Sequence, residues 1–540
     1  MNRKQVCGIY FVFLAAFAVL CARFYVIATG GSEAQQALSG QYTRKLDIVQ
    51  RSGFIFDRGG RRLCTANDGY VLFINPSALS PDKYYDAADE LSEATGMRAS
   101  YFADKLFLGA PFTAVAKRLP EGEFGGGFIK GFEKYKDIGD EFLCHVLGYN
   151  NSDGKGMSGI RGAYSEYLSE YASGKAFARY EADAYGAVID GTDVMLYDDG
   201  YSENSGIYLT IDYEIQDCVE NICRDLLDMG AVVVMDTDSG EILAMHSKPV
   251  YRKGNVADYL SSERGELLNR SILGYTPGSV FKTAVAAAAL EKDISLADRE
   301  YECRGVIDVF GEKIRCHNTA GHGVLNMEQA FAQSCNPYFI DLGLSLGLET
   351  ILDTARKMGA REYQSINLLP AAAGNLPENS SGLPAFTANI SVGQGELLLT
   401  PVQVCSMMSS AATGVYRKPS IVSKLVSDGE ETEYGASEDG AEKVLSPETV
   451  EKLHGMLEKC VDDGTGWRAK NETVKIAGKT ATAQSGQFKD GKEVIHSWFA
   501  GYFPADAPKY TVCVLCDGNG KENENASVIF GRIAEMIWNK

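Results

Sequence analysis

The sequence predicts an α+β protein: an antiparallel sheet assembled from both ends of the second half of the chain, with a helical insert between them. Three observations predict it. Strand-like segments occur at 207–211, 231–235 and 242–245, and return only at 475–477, 497–503 and 510–516. Helical sequence dominates from Ser279 to about residue 457, and a final amphipathic segment, 526–538, ends the chain. Strands at the two ends and helices between them imply one sheet closed by N- and C-terminal segments.

The chain has 540 residues, long enough for several domains and at least one large core. With 45% hydrophobic and 23% charged residues it has the composition of an ordinary globular protein. A formal net charge of −20 argues against a nucleic-acid partner, because phosphate binding needs a basic face. The same charge suits anionic lipid surfaces poorly and reads as a solubilising acidic surface.

In chain order, residues 1–5 form a short positive start with Arg3 and Lys4. Residues 6–28 are apolar apart from Arg23, enough to span a bilayer as a helix with the arginine snorkelling to one surface. A cleaved signal peptide fits less well, because the run exceeds a usual apolar core and no small-x-small site follows. Bulky Leu20 before Cys21 argues against a lipoprotein cleavage site. The expectation is a single-pass anchor in the cell membrane, with the N-terminus cytoplasmic and the remainder extracytoplasmic.

Residues 29–205 form a first extracytoplasmic region. Within it, 51–60 (Arg-Ser-Gly-Phe-Ile-Phe-Asp-Arg-Gly-Gly) has a strand-like apolar core and a charged turn. Residues 80–142 read as helices and loops, 148–160 as a loop, and 163–171 as a helix before more strand-like sequence to 195. Polar, glycine-bearing 198–205 is the expected boundary. Residues 206–540 open with a strand, followed by a helix with Ile215, Val219, Ile222 and Leu226 on one face. A hairpin turning at Asp236-Thr-Asp-Ser-Gly240 comes next. No internal repeat occurs.

Chemistry concentrates in three stretches. In Tyr275-Thr-Pro-Gly-Ser279-Val-Phe-Lys282 a turn breaks into a run of strong helix formers. That puts Ser279 at the first helical turn, beside free backbone N–H groups, and Lys282 one turn on along the same face. A serine needs an adjacent base to become a nucleophile, and a desolvated neutral lysine can serve. Gln333-Ser334-Cys335-Asn336 offers a hydroxyl for proton relay and an amide to grip a peptide bond. Lys479-Thr480-Ala481-Thr482 brings an ammonium and hydroxyls suited to a carboxylate. Ser-x-x-Lys, Ser-x-Asn and Lys-Thr-x, separated by about 50 and then about 145 residues, form the trio associated with β-lactamases and penicillin-binding proteins.

On these motifs the chain resembles the class B penicillin-binding proteins, the membrane-anchored peptidoglycan D,D-transpeptidases. The likeness extends through 209–216, Asn269-Arg270, His322-Gly323, Gly393-Gln-Gly395 with Thr400-Pro-Val-Gln403, Gly464-Thr-Gly466 and His496-Ser-Trp-Phe-Ala-Gly501. In the first region, Arg51, Gly53, Asp57, Arg58 and Gly60 resemble the signature of that family's non-catalytic pedestal. The resemblance implies a penicillin-binding, serine β-lactamase-like transpeptidase domain on an elongated α+β pedestal. It also implies a role in cell-wall synthesis during cell division or in setting cell shape. Ser279 would attack the penultimate D-alanine carbonyl of a peptidoglycan stem peptide, with Lys282 as base and Ser334, beside Lys479, relaying a proton to the leaving D-alanine. Asn336 would hold the substrate amide, Thr480 and Thr482 the terminal carboxylate, and the backbone N–H groups of Ser279 and Thr482 the oxyanion. β-Lactam antibiotics would trap Ser279 as an acyl adduct, and a polytopic membrane glycosyltransferase would be a partner.

Two positions depart from the family pattern. Ala481 stands where the third motif normally has glycine, so a methyl could crowd the nucleophile helix or shift the strand and alter efficiency. Arg161 stands where the family usually has glutamate, which removes a partner for Arg51 or Arg58. His322 reads as packing near Ser334, and His496 and Trp498 as shaping the strand beside Lys479. No cofactor is expected, and no metal site either, since six histidines show no paired spacing. The lone Cys513-Val-Leu-Cys516 lies on a strand whose alternate residues face opposite ways. Most of the 13 cysteines read as small buried hydrophobes; Cys303 and Cys316 could pair in an oxidising compartment. Three other functions share parts of this motif set. A serine β-lactamase lacks a group to activate water, and a β-lactam sensor would want several membrane spans. The alternative left standing is a non-catalytic or weakly active penicillin-binding scaffold of the division or elongation machinery, motivated by Ala481 and Arg161.

Overall fold

A computed structural model describes residues 3–29, 42–122, 124, 127–151, 154–170, 174–200, 204–361, 365–372, 374–377, 383–427, 429–433, 440–489, 491–518 and 525–540. The first element is a helix, Arg3–Thr29. Its segment Cys7–Val26 is, among the described residues, the one helix long and apolar enough to cross a membrane, and it makes no apolar contact that buries it. The chain then divides into two compact units. One comprises Met1–Arg51, Thr65–Lys136 and Ser173–Tyr201; the other comprises Ser52–Cys64, Asp137–Ala172 and Ser202–Lys540. The expected boundary at 205/206 falls close to the last of these transitions. Segments 52–64 and 137–172, expected in the first region, instead belong to the larger unit.

The reason is local for the first of these segments. Phe54–Phe56 pairs in parallel with Gly206–Leu209, extending a four-stranded sheet completed by Val422–Ser427 and Glu430–Glu433. Phe56 stacks on Tyr208 at 4.4 Å between ring centroids. The smaller unit holds two three-stranded sheets. Thr43–Gln50, Lys175–Glu181 and Met195–Asp198 form one; Phe112–Ala116, Cys64–Ile74 and Ile129–Asp137 form the other. Helices Tyr84–Thr95 and Ala99–Leu108 supply Leu91, Phe102 and Leu106 to its core.

The larger unit is organised by a five-stranded, wholly antiparallel sheet in the order Ile242–Lys248, Gly230–Asp236, Tyr510–Asp517, Lys492–Phe503, Ala477–Lys489. This is the sheet expected from the strand pattern, two strands from the start of the region and three from its end. Helices Tyr213–Leu226 and Ala526–Trp538 cover one face, with Ile215, Val219, Ile222, Ile529, Phe530 and Ile533 in the shared core. Asp212 caps the first helix by accepting from Glu214 and Ile215 N–H, and fully buried Gln216 ties it to Met245 through backbone bonds of 2.9 and 3.3 Å. The other face packs on the helical insert. There Lys282–Lys292 is buried from Lys282 to Leu290, and Pro401–Thr413 from Pro401 to Ala412. A helix apolar all round belongs inside a core, each large apolar side chain contributing about 1.5–3 kcal/mol.

Arg161, the departure in the first region, has a partner of its own. It forms an ion pair with Asp137, which also lies 3.3 Å from the Lys253 ammonium. Arg51 pairs with Asp198 at 2.6 Å, and Arg58 lies 3.4 Å from Glu241. The expected shortage of an acidic partner is thus met separately for each arginine. Removing one member of a buried ion group leaves the others uncompensated. Asp137→Ala, which strands both Arg161 and Lys253, is expected to cost about 3 kcal/mol in denaturant unfolding, while Asp198→Ala leaves that transition of the larger unit unchanged.

Candidate active site

The stretch around Ser279 is held on both sides before any helix begins. Tyr275 and Leu399 exchange two backbone hydrogen bonds of 2.9 Å, the Trp498 indole N–H donates to the Thr276 carbonyl at 3.1 Å, and Gly278 N–H donates to the Gly393 carbonyl at 2.9 Å. Gly278 adopts φ +58°, the left-handed region that a side chain disfavours. A Cβ there would stand 3.0 Å from that of Ala483 and 3.2 Å from that of Ala481. Gly393 meets the same turn, and a Cβ on it would lie 1.9 Å from the Gly278 carbonyl oxygen. Ser279, half-buried, sits in a single 3-10 turn, Gly278–Phe281, and the α-helix starts at Lys282. The expected turn-to-helix break is there, with the serine just ahead of the α-helix.

Lys282 is fully buried, and its Nζ reaches the Ser-x-Asn turn: 2.7 Å to Asn336 Oδ1, 2.8 Å to the Ser334 carbonyl and 3.2 Å to Ser334 Oγ. Burial, followed by the charge of Lys479, pulls its pKa well below the ordinary lysine value. Ser334 lies between two short helices, Met327–Ala332 and Asn336–Leu346, and Asn336 opens the second, close to the turn between helices that the sequence suggested. Asn326 and Gln329 cap the first reciprocally, and Pro337 sits in the first turn of the second. Between them Ser334 is held at φ +52°, uncommon for a residue with a side chain, while Cys335 N–H donates to the Ala330 carbonyl at 2.8 Å.

The third motif lies on the edge strand Ala477–Lys489, which packs against the Ser279 turn. Alternation sorts its side chains. Lys479, Ala481 and Ala483 are buried, whereas Thr480 is half-buried and Thr482 exposed. The Lys479 ammonium donates to the Thr480 carbonyl at 3.0 Å and stands 5.6 Å above the Phe331 ring. Lys282 stands 5.5 Å above Phe339, whose ring meets that of Phe331 edge-on at 6.1 Å. An aromatic floor therefore runs beneath both amines, and burial lowers the Lys479 pKa as well. The Ala481 methyl faces Gly278, so the crowding expected of it falls where the turn has no side chain.

Several residues important to this geometry carried no obvious chemistry in the sequence. Thr465, in Gly464-Thr-Gly466, shares a 2.6 Å hydroxyl bond with Thr480 and donates its N–H to the Ala332 carbonyl. His496 Nδ1 lies 3.2 Å from Asp517 Oδ1, whose other oxygen is 3.2 Å from Arg270 Nε, and the His496 ring meets Tyr275 edge-on. With the Trp498 bond, this agrees with the expectation that His496 and Trp498 shape the strand. Burial lifts the Tyr275 phenol far above its usual range, keeping it neutral. Cys303 and Cys316, expected as a possible pair, are both free thiols.

Comparison with known proteins places this geometry in context. The family described as the penicillin binding protein transpeptidase domain matches residues 230–535. The stage V sporulation protein D of Bacillus subtilis is 28% identical over 574 residues, spanning 98% of this chain and 83% of that one. The peptidoglycan D,D-transpeptidase FtsI of Buchnera aphidicola is 24% identical over 569 residues, spanning 98% and 93%. Among solved structures, penicillin-binding protein 3 of Mycobacterium tuberculosis complexed with aztreonam superposes with a TM-score of 0.67 at 22% identity, covering 92% of this chain and 97% of that one.

The contact between Gly278 and the edge strand can be tested by stability alone. Gly278→Ala is expected to cost about 2 kcal/mol in thermal or denaturant unfolding, part from the left-handed backbone and part from the two alanine methyls. Adding Ala481→Gly is expected to recover less than half of that, because the backbone strain remains.

Proposed function

The chain belongs to the penicillin-binding protein transpeptidase family, and from that premise we propose that it is a serine-type peptidoglycan D,D-transpeptidase whose nucleophile is Ser279 and whose base is Lys282. The observation that carries this reading is the surroundings of Lys282. A neutral amine has two N–H groups and one lone pair. The Ser334 carbonyl and the Asn336 amide oxygen can take the two N–H groups, which leaves the lone pair to accept a proton. Burial next to Lys479 favours that neutral form.

In the first half-reaction Ser279 Oγ attacks the penultimate D-alanine carbonyl of a stem peptide as Lys282 takes its proton. The backbone N–H groups of Ser279 and Thr482 receive the oxyanion, Asn336 grips the peptide amide, and Thr480 and Thr482 receive the terminal carboxylate under the charge of Lys479. Ser334 passes a proton to the departing D-alanine nitrogen, leaving an ester on Ser279. The amine of a second stem peptide then attacks that ester, forming the cross-link and freeing the serine. A β-lactam, whose ring amide occupies the place of the scissile bond, forms the same ester without a leaving group that diffuses away. The contact of buried Lys282 with Ser334 and Asn336 speaks against the non-catalytic scaffold reading.

The protein is membrane-anchored through its N-terminal helix. Arg3 and Lys4 place its start in the cytoplasm and the two following regions, 29–205 and 206–540, outside. A polytopic glycosyltransferase engaged through the anchor and the first region is the proposed partner, since cross-linking requires newly made glycan strands.

Detergent-solubilised full-length protein is expected to label with a fluorescent penicillin, whereas Ser279→Ala takes no label; a folded wild type that never labels would refute the assignment. Lys282→Arg, which stays protonated and so cannot act as a base, is expected to slow labelling by about 100-fold or more. Ala481→Gly is expected to leave the acylation rate unchanged or raise it, and a large fall would show that the methyl supports the site.

A further inference from the structure

Three cysteines and a histidine outside the reaction meet beside the Ser-x-Asn turn. The ligand atoms of Cys303, Cys316, His322 and Cys335 all lie within 4.8 Å of one another. The three thiols are buried, at 2%, 2% and 0% exposure, and His322 is half-buried. Cys316 Sγ and His322 Nδ1 are 3.6 Å apart. Two ligands on one tetrahedral zinc-sized ion, at about 2.3 Å for sulfur and about 2.0 Å for nitrogen, stand about 3.5 Å apart. From this convergence we infer that the protein carries a structural Cys3His site for a thiophilic divalent cation of the zinc type.

The backbone builds the cluster from separate pieces. Cys303 ends the strand Tyr301–Cys303, opposite Gly323 of an antiparallel partner, and its carbonyl accepts from His322 N–H at 3.1 Å. Cys316 follows the hairpin of Val306–Val309 and Glu312–Arg315, and its N–H donates to the Gly305 carbonyl at 2.9 Å. Glycine is required at both folds of this knuckle. Gly305 and Gly321 adopt φ +81° and +86°, and a Cβ on them would lie 2.2 Å from the Thr319 oxygen and 2.4 Å from the Cys303 oxygen. The fourth ligand, Cys335, comes from the turn itself. Spacings of 12, 5 and 12 intervening residues match no compact metal motif, and the six histidines show no paired spacing, so the sequence led to the expectation of no metal site.

The donor set selects the ion. Soft thiolates and an imidazole favour zinc over magnesium or calcium, and four protein ligands leave no open coordination position, so the ion holds structure and does no chemistry on substrate. Binding releases the thiol protons. It also answers a chemical problem, since three neighbouring thiols in the extracytoplasmic domain proposed above would otherwise be free to pair with one another as a disulfide. Cys335 lies between Ser334 and Asn336, both bonded to Lys282, so tethering its sulfur fixes the turn that holds the base. The metal site stands without the transpeptidase reading; only its effect on acylation rests on that reading.

The test is the metal content of full-length protein purified in detergent without added metal or chelator. About one zinc per chain is expected, falling at least tenfold in Cys303→Ala and in Cys316→Ala and unchanged in His317→Ala, whose ring stands 3.9 Å from Cys316 at the exposed rim. Should the cysteine variants fail to fold, the wild type answers alone. A chelator is expected to release the zinc while exposing three more thiols to alkylation, and cobalt is expected to restore protection with thiolate-to-metal charge-transfer and tetrahedral d–d bands. Penicillin labelling is expected to fall about 10- to 100-fold on metal removal. Metal-free protein that takes up no cobalt, a native bond between any two of the three cysteines, or zinc retained in a folded Cys316→Ala would each overturn the proposal.

Discussion

The burial of a single amine governs this structure. Lys282 is the first residue of a helix with no exposed face through Leu290, and nothing but protein surrounds its side chain. A charged ammonium in that position is costly, so the surroundings must either neutralise it or supply acceptors. They do both in part: Ser334 and Asn336 accept from Nζ, while desolvation and Lys479 press towards the neutral form. The same arrangement that makes the lysine expensive to bury makes it competent to take a proton. Stability and reactivity meet on one atom, and the remainder of the larger unit serves to hold that atom's acceptors in place.

That holding is distributed over segments remote in sequence. Gly393 and Trp498 grip the turn before Ser279, and Thr465 grips the strand bearing Thr480. Capping boxes at Asn326 and Thr400 set the starts of the helices that carry or back these contacts. Gly393, Thr400 and Thr465 carry no part of the proposed chemistry, which explains why they read in the sequence only as likeness to a family. Their common feature is a backbone group that must be met at close range. Glycine supplies that at positions 278 and 393, and a short hydroxyl at 465.

The two departures from the family pattern turn out differently from a simple loss. The Ala481 methyl lies against a glycine, and each of Arg51, Arg58 and Arg161 has a separate carboxylate. Neither compensation can be read locally. Asp137 is 24 residues from Arg161 and Asp198 is 147 residues from Arg51, and nothing in their flanking sequence marks them.

The sequence by itself determined the order of elements, the antiparallel sheet drawn from both ends of its region, and the turn–helix placement of Ser279 and Lys282. Those depend on periodicity, on glycine and proline punctuation, and on spacing within a single helical turn, all of which are local. Tertiary structure alone decided the rest. It moved Phe54–Phe56 into the larger unit, because a parallel partner 152 residues on is invisible to local pattern. It brought Lys282 to Ser334 and Asn336, and it gathered Cys303, Cys316, His322 and Cys335 into one cluster. Long-range contacts of that kind are set by how the packed core closes, and no short window of residues records it.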